Sequence, residues 1–225
     1  MGYNSPMEKE KLNKEILKRL NKVYFDAKPA LKYKNPFELL IATMLSAQST
    51  DKQVNKVTEE LFKKYKKPEQ LMAADLLQVE EEIRSCGFFK TKAKNIVATS
   101  KILTEDYNSI VPRTIEELIE MPGVGRKTAS VVISNAYDVP AIAVDTHVFR
   151  VSNRLGLAEA KDVYNTEMQL RENIPEKDWK DAHHWILWHG RRFCKARKPL
   201  CETCFLNDLC IYYNDENMDE QSGKA

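Results

Sequence analysis

The chain has 225 residues, of which 43% are hydrophobic and 30% charged, and its formal net charge is +2. A chain of this length forms one or two compact domains with a buried core, so wholesale disorder is excluded, and the near-balance of charge does not by itself select a partner. The chain holds only 7 glycines, which argues against turn-rich all-β folds, and no apolar run reaches the ~18 residues that a membrane span needs.

Helix signals follow one another along the chain. Apolar residues recur at helical spacing and no stretch alternates with period 2, so we predict an all-α fold. The run 39–45 is apolar nearly all round, which predicts a central, buried helix. The acidic segment 214–225 lacks such a pattern and is predicted to be a disordered tail. The predicted helices begin at or near Ser5, Asn35, Thr50, Pro68, Leu76, Ala93, Thr114, Arg126 and Asp145.

A tight turn joins two of these helices within residues 115–134. Gly123 and Gly125 lie in the turn, where glycine permits a positive φ and the close approach of another backbone. The amides of such a turn and of the following helix form a cluster of donors suited to a phosphate. A plain corner between two helices has the same pattern, so the residues alone leave both interpretations open.

Two charged residues near this turn have both an ordinary and a chemical interpretation. Lys127 lies in the first turn of a helix, where the helix dipole and partial desolvation favour the free amine that attacks an electrophilic carbon. Most lysines, however, are solvated surface cations. Asp145 stands where an N-cap carboxylate is expected, at the start of Asp-Thr-His. The local pattern does not choose between these interpretations.

Four cysteines fall close together near the end of the chain, at Cys194, Cys201, Cys204 and Cys210. No secretory signal precedes them, so a disulfide framework is disfavoured. Four thiolates hold either a tetrahedral zinc ion or a [4Fe–4S] cluster, and the spacing alone leaves both open. Arg197 and Lys198 lie between the first two cysteines, which predicts either a solvated loop or a loop that contacts phosphates.

Several motifs occur together and in order: Leu45-Ser-Ala-Gln48, Gly87-Phe-Phe-Lys-Thr-Lys-Ala93, Pro122-Gly-Val-Gly-Arg-Lys-Thr-Ala129, Val144-Asp-Thr-His-Val148 and the four cysteines. With these motifs the chain resembles the helix–hairpin–helix DNA glycosylases of the endonuclease III family, from about residue 30 to residue 213. The resemblance implies two all-α domains that flank a DNA-binding cleft. Residues 29–139 would form a helical barrel that contains the hairpin, and residues 1–28 with 140–213 a domain around a [4Fe–4S] cluster bound by the four cysteines.

The resemblance also implies an activity. It is that of a bifunctional DNA glycosylase and abasic-site lyase of base-excision repair, a cytoplasmic monomer acting on double-stranded DNA that contains oxidised pyrimidines or abasic sites. Lys127 would be the nucleophile and Asp145 its partner carboxylate. The residues expected to contact DNA are Gln48, Phe88, Gly123, Val124, Gly125, Arg126, Arg197 and Lys198.

Some alternatives remain beside this interpretation. Gln48 and Phe88 match positions whose side chains fill the gap left by an extruded nucleotide, but Phe88 stands where leucine is expected and could pack in the core instead. His183, His184 and His189 are expected to pack in the core rather than to bind metal. The rival functions are a related glycosylase that removes adenine or pyrimidine dimers and a non-catalytic iron–sulfur sensor that binds DNA. Lys127 argues against an adenine-specific relative.

Overall fold

The computed structural model describes residues 6–214 of the chain. Within that range every regular element is a helix, so the prediction of an all-α fold is confirmed. Asn214, predicted to open the tail, lies in a helical turn, whereas the rest of that tail and the predicted start signal at Ser5 fall outside the described residues. None of the helices in 6–214 is long and apolar enough to cross a membrane.

The chain divides into two compact units. The central unit is the continuous segment Pro29–Val139, and the terminal unit combines the segments on either side of it. In the described part of the chain, the helices of the central unit are α2 (Pro36–Ser46), α3 (Asp51–Lys64), α4 (Pro68–Met72), α5 (Leu76–Glu82), α6 (Phe89–Asp106), α7 (Ile115–Ile119) and α8 (Arg126–Tyr137).

The helix starts of the central unit are set by local capping chemistry. Asn35 is the N-cap of α2, where its Oδ1 accepts from the Glu38 N–H over 2.9 Å and Pro36 takes the first helical position. Thr50 caps α3 in the same way, accepting from the Gln53 N–H over 3.2 Å. The residues of α2 from 37 to 45 are all buried, which confirms the prediction of a central helix. It packs against α3, α6 and α8.

The terminal unit is built from segments far apart in sequence. In its first helix, the apolar face formed by Ile16, Leu20 and Tyr24 is buried in one core with residues from the segments 146–155 and 179–192. In the described residues, the helices of the terminal unit are α1 (Pro6–Tyr24), α9 (Thr146–Leu155), α10 (Val163–Asn173) and α11 (Trp179–Arg192). Short 3₁₀ turns lie at Glu176–Asp178 and Asn207–Leu209, and a helical turn lies at 211–214.

Close packing of α11 on α9 depends on Gly190. A Cβ at this position would lie 2.9 Å from Val151 Cγ2 and 3.2 Å from His147 Cβ, both on α9. The missing side chain therefore lets the end of α11 approach the helix that begins at Asp145.

Candidate functional site

The predicted hairpin consists of α7, α8 and the turn of residues 120–125 between them. Inside the turn the Val124 N–H donates to the Met121 carbonyl over 3.0 Å, and the Val124 side chain is buried. Gly125 is the N-cap of α8 and has no side chain to accept from the first-turn amides. An anion at the start of α8 can therefore accept hydrogen bonds that capping side chains accept elsewhere.

The two glycines of this turn serve different purposes. Gly123 has a φ of +77°, and a Cβ there would lie 2.5 Å from Asn95 Nδ2. Gly125 has a φ of −92°, which any residue adopts, and a Cβ there would meet no atom within 4 Å. Of the two glycines in this turn, Gly123 is required by packing within the protein and Gly125 is not. Gly125 leaves an open face beside the helix start.

Lys127 lies in the first turn of α8, two residues after the N-cap, and its side chain is exposed. Its amine is therefore accessible to a ligand that binds at the hairpin. The positive end of the α8 dipole lies at the same place and opposes a further positive charge there. Arg126 beside it is half-buried.

Asp145 is the N-cap of α9 in the terminal unit. Its Oδ1 accepts from the His147 N–H over 2.9 Å and from the Val148 N–H over 2.8 Å, and the residue is half-buried. The capping role expected for Asp145 is thus observed. Both capping bonds use the same oxygen, so they leave the second carboxylate oxygen available to another partner.

Gln48 and Phe88 lie in two loops of the central unit that contact each other. Gln48 follows α2, and Phe88 is the N-cap of α6. The Gly87 N–H donates to Ser49 Oγ over 3.2 Å, and a Cβ on Gly87 would lie 3.2 Å from the Gln48 carbonyl oxygen. Both side chains are exposed, that of Phe88 by 67%, so the alternative that Phe88 packs in the core is wrong.

Three of the residues predicted to contact DNA have a left-handed backbone. The φ angles are +52° at Gln48, +57° at Phe88 and +51° at Lys198, among six non-glycine residues with positive φ in the described part of the chain. This conformation costs roughly 1–2 kcal/mol for a residue with a Cβ and persists only where surrounding contacts hold it. Strained residues of this kind occur at functional sites; the other three in the described residues are Asn108, Ser109 and Asp138.

The four cysteines line one pocket of the terminal unit. Apolar side chains complete its wall, among them Leu155, Phe193, Pro199 and Leu200. Residues separated by up to sixteen positions are thereby brought to one place. The pocket is formed entirely by the terminal unit.

Arg197 and Lys198 are exposed in the loop between Cys194 and Cys201. The neighbouring cations Arg191 and Arg192 are arranged differently, because their guanidinium groups lie over the Trp188 ring at 5.3 and 5.1 Å from its centre. The basic segment therefore divides into a pair of arginines stacked on a tryptophan and three exposed cations in the cysteine loop, of which Lys195 is the third.

Comparison with known proteins identifies the family to which the chain belongs. A family model described as HhH-GPD superfamily base excision DNA repair protein matches residues 41–176, and one described as the iron–sulfur binding domain of endonuclease III matches residues 194–210. Endonuclease III of Bacillus subtilis (strain 168) is 49% identical over 195 residues, which are 86% of this chain and 89% of that protein. The chain belongs to the endonuclease III family.

Other members of the endonuclease III family extend the likeness to the fold. Endonuclease III of Escherichia coli (strain K12) is 44% identical over 198 residues, or 88% of this chain and 94% of that protein. The fold matches a solved structure described as a trapped endonuclease III–DNA covalent intermediate, estranged-adenine complex. The TM-score is 0.88 and the sequence identity 45%, and the match covers 92% of this chain and 98% of the solved chain.

The iron–sulfur domain of the family decides between zinc and a cluster, and the chemistry of the pocket fits a [4Fe–4S] group. The four cysteines are thiols, and thiolates are the ligands that this cluster takes. Burial raises the pKa of the Cys204 thiol, and it raises that of Cys210 to about 11. Because coordination deprotonates a thiol outright, a cluster bound to these four cysteines would keep the buried sulfurs anionic.

Two arginines of α9 were not singled out by the sequence reasoning. Arg150 donates from Nε and Nη2 to the Cys194 carbonyl over 3.1 and 2.9 Å, and from Nη2 to the Gly190 carbonyl over 3.1 Å. Arg154 Nη1 lies 3.6 Å from the Cys194 sulfur. The helix that begins at Asp145 thus holds the first cluster ligand. The four-residue spacing of the two arginines, which puts them on one helix face, is the signal that could have revealed them.

The three histidines of α11 are buried, as predicted. His183 Nδ1 lies 2.7 Å from the Ala143 carbonyl oxygen. Burial lowers the pKa of His184 to about 3 and that of His189 to about 4, so both rings are neutral at neutral pH. Their role is in packing and local hydrogen bonding.

Proposed function

We propose that this chain is a bifunctional DNA glycosylase and abasic-site lyase of base-excision repair that acts on oxidised pyrimidines in double-stranded DNA. The observation that carries the proposal is the exposed Lys127 amine, directly after a hairpin with an open face at Gly125. Membership in the endonuclease III family supports the reaction class. A covalent intermediate, as described for the solved relative, is what an amine nucleophile produces.

Lys127 supplies the nucleophile. Its neutral amine attacks C1′ of the damaged nucleotide, and the bond from C1′ to the base breaks, so that the base leaves with the electron pair and takes up a proton. Loss of the amine proton and opening of the sugar ring give an imine between Nζ and C1′. Removal of a C2′ proton then expels the 3′ phosphate by β-elimination, which cuts the strand. Water hydrolyses the imine and releases Lys127.

Asp145 assists as a carboxylate. Its Oδ1 is engaged by two amides of α9, which fixes the orientation of the group, and its second oxygen is left to face the substrate. A fixed carboxylate stabilises the positive charge that develops on the deoxyribose as the base departs, and it accepts a proton from the attacking amine. Capping and catalysis are thus two uses of one side chain.

The DNA contacts have two kinds of task. The amides of Gly123, Gly125 and Arg126 and the cations Arg197 and Lys198 bind phosphates, which position the protein without reading sequence. The Val124 N–H, predicted with them, donates inside the turn instead. Gln48 and Phe88 enter the base stack and fill the gap that the extruded nucleotide leaves. When bound, the [4Fe–4S] cluster supplies a structural crosslink that fixes the loop of Arg197 and Lys198.

Borohydride trapping tests this proposal. Borohydride reduces an imine to a stable amine, so wild-type protein should become covalently joined to a duplex that contains one abasic site. Lys127→Ala should abolish trapping and strand cleavage while binding to the duplex survives. Lys101→Ala is the matched control, because Lys101 is an exposed lysine of α6 outside the proposed site.

The outcomes separate the candidate functions. Trapping by Lys127→Ala at the wild-type rate would refute the assignment of the nucleophile. A folded, cluster-containing wild type that binds the duplex without trapping would favour the non-catalytic sensor or a monofunctional enzyme. If trapping succeeds, release of bases from duplexes containing an oxidised pyrimidine, a mispaired adenine or a pyrimidine dimer identifies the substrate.

We further propose that the protein works in the cytoplasm of a prokaryotic cell, on the nucleoid, as a monomer. The bacterial relatives support this location. Fluorescence microscopy of a tagged chain should show the label over the DNA, and light scattering should give the mass of a single chain.

A further inference from the structure

Lys92 is a buried lysine for which the proposed reaction has no use. It lies in the first turn of α6, and only 7% of its surface is exposed. Lysine is almost never buried unless its ammonium group is paired, because desolvation of the charge is costly. Its contacts therefore have to account for its position.

The contacts of Lys92 join the two loops that carry Gln48 and Phe88. Its Nζ donates to the Leu45 carbonyl over 2.7 Å and to Ser49 Oγ over 3.0 Å, which are the residues on either side of the first loop. Its backbone N–H donates to the Phe88 carbonyl over 3.0 Å. The Lys92 ammonium thus contacts the Leu45 carbonyl before Gln48 and the Ser49 hydroxyl after it, while the backbone bond to Phe88 is the first helical bond of α6.

Ser49 Oγ is the point where these bonds meet. It accepts from Lys92 Nζ and also from the Gly87 N–H, the residue immediately before Phe88. Hydrogen bonds from a charged donor are about twice as strong as those between neutral groups. The Lys92 ammonium therefore fixes the position of the Ser49 hydroxyl, and this hydroxyl in turn accepts from the Gly87 amide of the second loop.

The two loops need such a support, because both carry strained residues. Gln48 and Phe88 have φ angles of +52° and +57° with exposed side chains, and neither residue type favours that region. A left-handed backbone persists where neighbouring contacts hold it in place. Because most of the Phe88 side chain is exposed, contacts made by neighbouring residues of the two loops are important for holding this conformation.

We propose that Lys92 is a positioning residue that holds Gln48 and Phe88 in the conformation in which both enter the gap left by an extruded nucleotide. The proposal rests on the function assigned above to these two side chains. It gives the ammonium group a purpose that an apolar residue of the same length could not serve, because methionine would fill the space without donating to Leu45 or Ser49.

A fluorescence measurement that requires no chemistry tests the proposal. The probe is a duplex with a stable tetrahydrofuran abasic analogue and 2-aminopurine as the base opposite, whose fluorescence rises when neighbouring side chains unstack it. Wild-type protein should raise the signal. In Lys92→Met the protein concentration needed for half the rise should increase about tenfold, as expected for loss of a charge-assisted hydrogen bond. Lys101→Met, the same change on the exposed face of α6, should behave as wild type.

A second variant covers the case in which Lys92→Met fails to fold. Ser49→Ala removes the shared acceptor but leaves the Lys92 bond to the Leu45 carbonyl. Ser49→Ala should also increase the protein concentration needed for half the fluorescence rise. In the double variant the effects of the two changes should be less than additive, because both break one network. If Lys92 served only the stability of the fold, Lys92→Met would lower the melting temperature without shifting the fluorescence titration.

Each outcome bears on the proposal. A Lys92→Met or Ser49→Ala protein that is folded and gives the wild-type titration overturns it, as does an equal loss in Lys101→Met. Absence of any fluorescence rise with wild type overturns both the insertion of Gln48 and Phe88 and the role of Lys92. Because the duplex cannot form an imine, these results are independent of whether Lys127 is the nucleophile.

Discussion

The two glycines of the hairpin provide a sharp test of its proposed role, because replacing each with alanine should have opposite consequences. Gly123→Ala should damage the fold. Gly125→Ala should leave the fold intact and damage DNA binding. The two positions are two residues apart in one turn, so each variant is the control for the other.

Gly123→Ala and Gly125→Ala should lose different amounts of stability, because the added Cβ meets different surroundings at the two positions. At Gly123, a left-handed φ costs about 1–2 kcal/mol for alanine, and the contact of 2.5 Å with Asn95 Nδ2 forces a shift of that side chain. With overpacking at ~1–3 kcal/mol and a gain of ~0.4–1 kcal/mol from a stiffer unfolded chain, Gly123→Ala should lose about 2–4 kcal/mol. At Gly125 the same gain offsets the poorer N-cap quality of alanine, so the net change should stay within about 0.5 kcal/mol.

Urea unfolding of the cluster-containing proteins, followed by circular dichroism, measures the first effect. Fluorescence anisotropy with an abasic duplex measures the second, and Gly125→Ala should weaken binding about tenfold because its Cβ occupies the face on which a phosphate would meet the amides of α8. Equal loss of stability in the two variants would contradict the packing argument. Unchanged affinity in Gly125→Ala would remove this face from the DNA interface.

Three further predictions concern the terminal unit. Neutralising Arg197 and Lys198 together to Gln should weaken binding to duplexes of any sequence and reduce the slope of log affinity against log salt by about 2, the value for two phosphate contacts; an unchanged slope excludes both from the interface. His184 is held neutral by burial with a pKa of about 3, whereas in the unfolded chain it gains a proton below its ordinary value of 6.5, so stability falls as the pH falls through that window. Between pH 7 and pH 5 the wild type should lose about 2 kcal/mol more unfolding free energy than His184→Phe, and parallel curves would contradict this. Arg150→Met should lose about 2–3 kcal/mol of unfolding free energy, because it removes the charged donors to the Cys194 carbonyl. A chelator should bleach the visible absorption of the cluster faster in this variant than in the wild type. Equal bleaching rates would exclude a role of Arg150 in holding the cluster.

Several helix starts were predictable from sequence because their causes are local, whereas α6 begins at Phe89, four residues before the predicted start near Ala93, and no start was predicted for α10 or α11. Asn35, Thr50 and Asp145 cap helices with side-chain oxygens that reach amides two or three residues ahead. The chemistry of a few neighbouring residues is sufficient for such a feature. The all-α class follows from the same signals repeated along the chain.

The support beneath the site was not predictable, because its causes lie between elements. Burial of Lys92 depends on carbonyl and hydroxyl groups at the end of α2, 43 to 47 positions earlier in the chain. The left-handed backbone at Phe88 has no signal in its residue type, since asparagine, aspartate and glycine are the residues that indicate it. Composition likewise says nothing of Arg150, whose partners lie 40 and 44 positions away.

The discontinuous make-up of the terminal unit determines the order in which the protein can fold during synthesis. Tyr24 of α1 packs beside His189 of α11, and 165 positions separate them. At about 5–20 residues per second, roughly 10 to 30 seconds pass between their appearances. The central unit, a continuous segment, can fold in that interval, whereas the apolar face of α1 must wait in an unfolded chain. The apolar residues of α1 therefore stay exposed in the growing chain until α11 has been made, and Cys210, the last of the four cysteines, completes the set of cluster ligands.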